Sequence, residues 1–206
     1  MKQAEPLERY VSGLLIATGV LYTVAAINTS VVFVREGYDY QALSGPLLLL
    51  GLLASFLALL GIYSKVRDRE PTLAKATGAV ASLAVVAVTV LLAWGIASRV
   101  STVSDPPAPL AIASLALFIT GFALAGATVL RSSVYPRPVG YLLLGEAVAL
   151  VVVIVGPLVV FEGAAPDEYT VGIELTQAVL LLLAGWLTRG DVEPRTQQAM
   201  TGAKEA

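Results

Sequence analysis

Six stretches of this sequence are long, apolar and almost free of charge: residues 11–34, 43–63, 76–97, 109–130, 139–161 and 170–188. About 20 apolar residues, each rising 1.5 Å, cross a hydrocarbon core of roughly 30 Å, so every run is long enough to span a bilayer. Lipid offers no hydrogen-bond partner to a free backbone group, which makes each run a helix. None shows the alternation of a membrane β-strand. The expected fold class is an all-α membrane protein, a six-helix up-and-down transmembrane bundle. Residues 1–10 form an N-terminal segment, 11–188 the transmembrane domain, and 189–206 a polar tail expected to be disordered, with Gly190, Pro194 and Gly202 in it.

Composition agrees. Charged residues make up 14% of the chain and apolar residues 57%, against roughly 25% and 45–50% in soluble domains. So few charges cannot cover a water-facing surface. The distribution of Lys and Arg then sets the orientation. Lys2 and Arg9 precede the first run; Lys65, Arg67, Arg69 and Lys75 lie in the second connection; Arg131 and Arg137 lie in the fourth; Arg189, Arg195 and Lys204 lie in the tail. The opposite side holds only Arg35 and Arg99, together with Glu36, Asp39, Asp105, Glu162, Asp167 and Glu168. Alternation this strict predicts both termini in the cytoplasm (N-in/C-in). Val24-Ala25-Ala26 has the small residues of a signal-peptidase site, but the apolar run continues past it and residues 1–10 carry no net side-chain charge. The first run is therefore expected to be retained as a helix.

Aromatic residues gather at the ends of the runs, where a bilayer boundary draws them. Tyr10, Tyr63, Tyr135, Tyr141 and Trp186 mark the inner side, and Phe33, Tyr38, Tyr40, Trp94, Phe161 and Tyr169 the outer side. Only Tyr22, Phe56, Phe118 and Phe122 lie deep. Short connections predict antiparallel neighbours arranged as three hairpins. Small residues four apart, such as Gly51/Ser55, Gly78/Ser82 and Gly121/Ala125, suit close helix packing. Pro157 lacks the N–H that would bond the carbonyl of Val153, and a kink is expected near the outer end of the fifth helix.

The chain has no cysteine and no histidine. Disulfides, Cys/His zinc sites, His-ligated haem, iron–sulfur clusters and histidine acid–base chemistry are thereby excluded, and no cofactor is expected. Serine-nucleophile and phosphate-loop motifs are missing too. Two acids inside the runs remain. Glu146 lies roughly 10 Å from the inner boundary, at 1.5 Å per residue. A carboxyl there is costly unless it faces the bundle interior. Depth matching suggests Thr18, Ser55 and Ser82 as its partners. A proton or cation site and a structural pin between helices are both open readings. Glu174 is shallower, about 6 Å from the outer boundary. It shares a helix face with Thr170 and Gln177 at i, i+4 and i+7 spacing, and Asn28 lies at similar depth. An Asn28/Glu174/Gln177 polar cluster open to the outer water is thus geometrically allowed, with Arg35 or Arg99 available to neutralise it; the favoured reading is a shallow Glu174 that reaches for the interface. Rise arithmetic places Glu146 and Glu174 roughly 12–15 Å apart in depth, so they would mark two ends of a route.

The stretch Gly61-Ile62-Tyr63, Ser64-Lys65-Val66-Arg67-Asp68-Arg69-Glu70 and then Gly78 resembles a pattern of small prokaryotic multi-helix membrane proteins. The likeness covers residues 43–80. It implies a prokaryotic cytoplasmic membrane and carries no activity. The leading expectation is a non-enzymatic accessory subunit or structural, interaction-type bundle. The alternative is a small transporter or channel for an ion, proton or solute, using Glu146 and the Asn28/Glu174/Gln177 cluster. Expected partners are membrane lipids and another membrane protein or a second copy of the chain. Net-negative outer segments argue against a nucleic-acid partner.

Overall fold

The computed structural model describes residues 6–36, 41–100, 106–160 and 167–189. Six α-helices account for nearly all of them: α1 Pro6–Glu36, α2 Gln41–Val66, α3 Pro71–Val100, α4 Ala108–Ser132, α5 Arg137–Val159 and α6 Asp167–Arg189. All six are long and apolar enough to cross a membrane. The fold is the expected all-α six-helix bundle, and the chain is a multi-pass membrane protein.

Helices extend further than the apolar runs. Most of the expected second loop is helical, so only residues 67–70 connect α2 to α3. There the Arg69 N–H donates to the Val66 carbonyl at 2.9 Å, and the Ala74 N–H donates to the Glu70 carbonyl at 2.9 Å. Pro71 fits at the first helical position, where no N–H is needed. Between α4 and α5, Ser133 takes a left-handed conformation with φ 53, a common way to end a helix. At the other boundary α2 begins at Gln41, so Pro46 lies inside it. α5 runs as a single helix through Pro157. The side chains of Arg35, Arg99, Phe33, Tyr38, Tyr40 and Phe161, and the tail beyond Arg189, lie outside the described residues.

The six helices close into a ring. α1 packs on α2 and α6, and successive neighbours complete the circuit. α2 and α4 also meet across the ring. At that crossing the Phe56 ring lies 5.2 Å from Phe118 and 5.4 Å from Phe122, centroid to centroid. Gly121 makes room for it: a Cβ there would sit 2.8 Å from Phe56 Cε1. The crossing divides the ring, so that α1, α2, α4, α5 and α6 pack around one side of it, a densely filled inner compartment in which Glu146 and Glu174 are buried.

Outer surfaces are apolar, with Leu83, Val86, Ile112, Val148, Val155 and Val179 exposed. The buried set, by contrast, includes Thr18, Ser44, Thr77, Thr128, Glu146, Glu174 and Gln177. This arrangement fits lipid, where an apolar side chain loses nothing by facing outward and a polar one must find a protein partner.

Hydrogen bonds also fix which helix ends share a side. Ser64 Oγ donates to Glu8 Oε1 at 3.1 Å, and Ser12 Oγ donates to the Gly185 carbonyl at 2.7 Å. Lys65 Nζ sits 4.2 Å above the Tyr135 ring, a favourable cation–π distance. The α1 start, the α2 end, the α4–α5 turn and the α6 end therefore meet, and this is the side on which the basic residues gather.

The α1–α6 seam depends on glycine. A Cβ at Gly185 would approach the Ile16 backbone N to 2.9 Å and the Ser12 carbonyl oxygen to 3.0 Å, whereas one at Gly13 would meet nothing within 4 Å. Both residues are helical, so alanine gains the same helix propensity at each. Gly185→Ala is expected to cost about 1–3 kcal/mol through overpacking and to lower Tm in detergent, while Gly13→Ala holds or raises it. Equal Tm values for the two variants would contradict this packing.

Candidate functional site

Glu146 projects from α5 into the closed compartment and is 0% exposed. Its partner comes from α6: Gln177 Nε2 donates to Glu146 Oε1 at 2.8 Å. Glu146 Oε2 has no hydrogen-bond partner. Gln177 itself is 4% exposed. Neighbouring contacts set the register of the two helices, since Gly145 faces Leu180 and Gly156 faces Tyr169. Tyr169 adds a bond from its hydroxyl to the Val152 carbonyl at 2.6 Å.

Glu174 lies one helical turn from Gln177, on the same inner face of α6, and is 4% exposed. Its Oε2 is also without a partner. The Thr29 hydroxyl of α1 is the polar group beside this carboxyl. Tyr22, 2% exposed, has both Glu146 and Glu174 as titratable neighbours. The Tyr22 ring rests against α2 at Gly51, where a Cβ would lie 2.6 Å from Tyr22 Cε1. A side chain at Gly51 would push Tyr22 out of place.

A further polar chain leads away from Glu174. Thr29 Oγ1 lies 3.1 Å from Ser44 Oγ of α2 and donates to the Ala25 carbonyl at 3.0 Å. Asn28 Nδ2 donates to Ser44 Oγ at 3.0 Å. Asn28 is half-buried, whereas Thr29 and Ser44 are buried.

Several sequence expectations change here. Thr18, Ser55 and Ser82 are not the partners of Glu146. Thr18 donates to the Leu14 and Gly51 carbonyls, Ser55 to Leu52 and Ser82 to Gly78. Short hydroxyl side chains readily bond the carbonyl one turn back, which takes them out of cross-helix pairing. Gln177 belongs with Glu146, and Asn28 bonds Ser44. In the α5–α6 register Glu174 is level with about residue 150, so the two acids differ by roughly 6 Å in height at 1.5 Å per residue. The larger separation followed from measuring each acid from its own end of an apolar run, although the helices outrun those stretches by different amounts. Glu146 and Glu174 therefore line one compartment. Tyr22, Thr29 and Ser44 were not marked as site residues. For Tyr22 the available signal was its depth, since a lone phenol far from either boundary is unusual in lipid.

The chemistry of Glu146 follows from counting bonding positions. Ionised, it would place a carboxylate in the interior with one oxygen lacking a donor. Protonated on Oε2, it would present an O–H lacking an acceptor. Either form leaves one position open, which is unusual for a buried polar group. Among the described residues no group of three or more acids is placed to hold a metal ion.

Comparison with protein-family models, with curated proteins and with solved structures finds no match.

Removing only the donor should be worse than removing the pair. Gln177→Leu strips Glu146 of its bond and is expected to cost about 1–3 kcal/mol, lowering Tm in detergent. Adding Glu146→Leu to Gln177→Leu should restore much of that loss, because two apolar groups satisfy each other. Strictly additive losses in the double variant would contradict the pairing.

Proposed function

We propose that this protein is a small proton-translocating or proton-coupled carrier with Glu146 as its central proton-binding group. The observation behind this reading is that Glu146 is enclosed, is fixed through one oxygen by Gln177, and keeps an open bonding position on the other. A residue held only for structure would gain by closing that position, since an unsatisfied buried polar atom is destabilising. A carboxyl inside a membrane bundle is a functional-site candidate by default. A second acid on the same side of the bundle, with Tyr22 a neighbour of both, gives the proton a second station. The ligand best matched to one open oxygen per acid is a proton, because a bare cation requires several oxygen ligands.

A second reading has its own support. The Glu146–Gln177 bond joins α5 to α6 and would serve an accessory or structural bundle as a pin. The two readings separate in proteoliposomes with an internal pH-sensitive dye. Glu146→Gln removes the titrating proton but keeps hydrogen-bonding capacity, so proton flux should fall by about 100-fold or more while Tm changes little. Full flux in this variant would overturn the carrier reading, and a large loss of Tm would favour the pin.

The resemblance and the composition favour the cytoplasmic membrane of a prokaryote as the protein's location, with no enzymatic activity. The basic side of the bundle is assigned to the cytoplasm by its Lys and Arg residues. The chain has no native cysteine, so single cysteines report directly. In right-side-out vesicles a membrane-impermeant maleimide should label Asp105→Cys and leave Arg137→Cys unlabelled. The reverse pattern would invert the topology.

A further inference from the structure

Resting on that proton-carrier reading, we infer that Ser44 and Thr29 form a proton-entry chain that charges Glu174 from the end of the bundle opposite the basic side. The continuity of the contacts carries the argument. A threonine hydroxyl has one hydrogen, and that of Thr29 goes to the Ala25 carbonyl. In the 3.1 Å contact between Thr29 and Ser44 either hydroxyl can donate; whenever the Thr29 hydrogen is on another acceptor, Ser44 is the donor. Asn28 in turn donates to Ser44. In that arrangement the contacts run from half-buried Asn28, through Ser44, to Thr29, whose hydroxyl lies beside Glu174.

Glu174 Oε2 lacks a partner, and it supplies the reason for the chain to switch. With Glu174 ionised, the Thr29 hydrogen turns from the Ala25 carbonyl to the carboxylate. The Thr29 O–H bond then breaks as a proton bonds to Glu174. Thr29 Oγ1 takes the Ser44 proton, and Ser44 regains one from hydronium at the outer end, leaving water. Charge and protons balance, with each hydroxyl ending as it began. The titratable described group beside Glu174 is Tyr22 on α1; the Ser44 hydroxyl of α2 reaches it only through Thr29. Asn28 has no proton to relay and acts as a positioning residue that directs the Ser44 hydrogen inward.

The test uses the full-length protein in liposomes under an imposed pH step, with Tm recorded for each variant. Thr29→Val and Ser44→Ala should each slow proton flux by on the order of tenfold or more, and Thr29→Ser, which keeps the hydroxyl, should stay near the wild-type rate. Wild-type flux in Thr29→Val and Ser44→Ala, alongside an inactive Glu146→Gln, would overturn the entry chain and leave the Glu146 site standing. Wild-type flux in all of them, Glu146→Gln included, would overturn the carrier reading itself. Should Thr29→Val fail to fold, Thr29→Ala and Ser44→Ala carry the same comparison.

Discussion

Hydrocarbon offers nothing that can donate or accept a hydrogen bond, and this constraint organises the whole molecule. Every polar side chain within the six spans must be satisfied by its own helix or by a neighbour. Most of the threonine and serine hydroxyls do the former, bonding a carbonyl three or four residues back. Glu146 and Gln177 cannot, because their side chains are too long to fold back onto their own turn in that way. They meet each other instead, and their 2.8 Å bond joins the fifth and sixth helices deep in the bundle. Satisfaction stops one atom short on each acid, and that shortfall is the basis for a chemical role.

Ring closure makes the interior possible. Successive helices pack side by side, and the sixth returns to the first, so the inner faces of five helices share one space screened from lipid. Glycines set how near the walls can come. Gly51 receives the Tyr22 ring, Gly121 the Phe56 ring and Gly185 the backbone of α1. Between lipid-facing Val, Leu and Ile and this dense interior there is little room for a carboxyl to escape outward. The position of Glu174 shows the effect: its height alone would have allowed it to reach for the interface, yet it is turned into the compartment.

Much of the fold was legible in the sequence because one physical rule, the length of an apolar span, acts on each helix independently. The number of helices, their order and the basic side all follow from local patterns. The site was less legible. Glu146 and Glu174 stand out as acids in apolar runs, but which residue faces which depends on the rotation and register of packed helices. Helix starts at Arg137 and Asp167, ahead of the apolar runs at 139 and 170, altered the depth scale on which partners were matched. Gln177 was expected beside Asn28 and instead met Glu146, a displacement of about one helical turn. Tyr22, Thr29 and Ser44 look ordinary in sequence, since hydroxyl residues are frequent in membrane helices and bond their own backbone. Only the closed ring shows that they border the acids.

The most direct test of the account is infrared difference spectroscopy of the reconstituted protein across a pH titration, comparing wild type with Glu146→Gln. A protonated carboxyl gives a C=O stretching band distinct from that of a carboxylate. The account predicts a pH-responsive protonated-carboxyl band that is lost in Glu146→Gln, as expected of an enclosed acid that binds and releases a proton. A wild-type spectrum in which no such band responds to pH, or one unchanged by Glu146→Gln, would contradict it and leave Glu146 as a fixed structural link between α5 and α6.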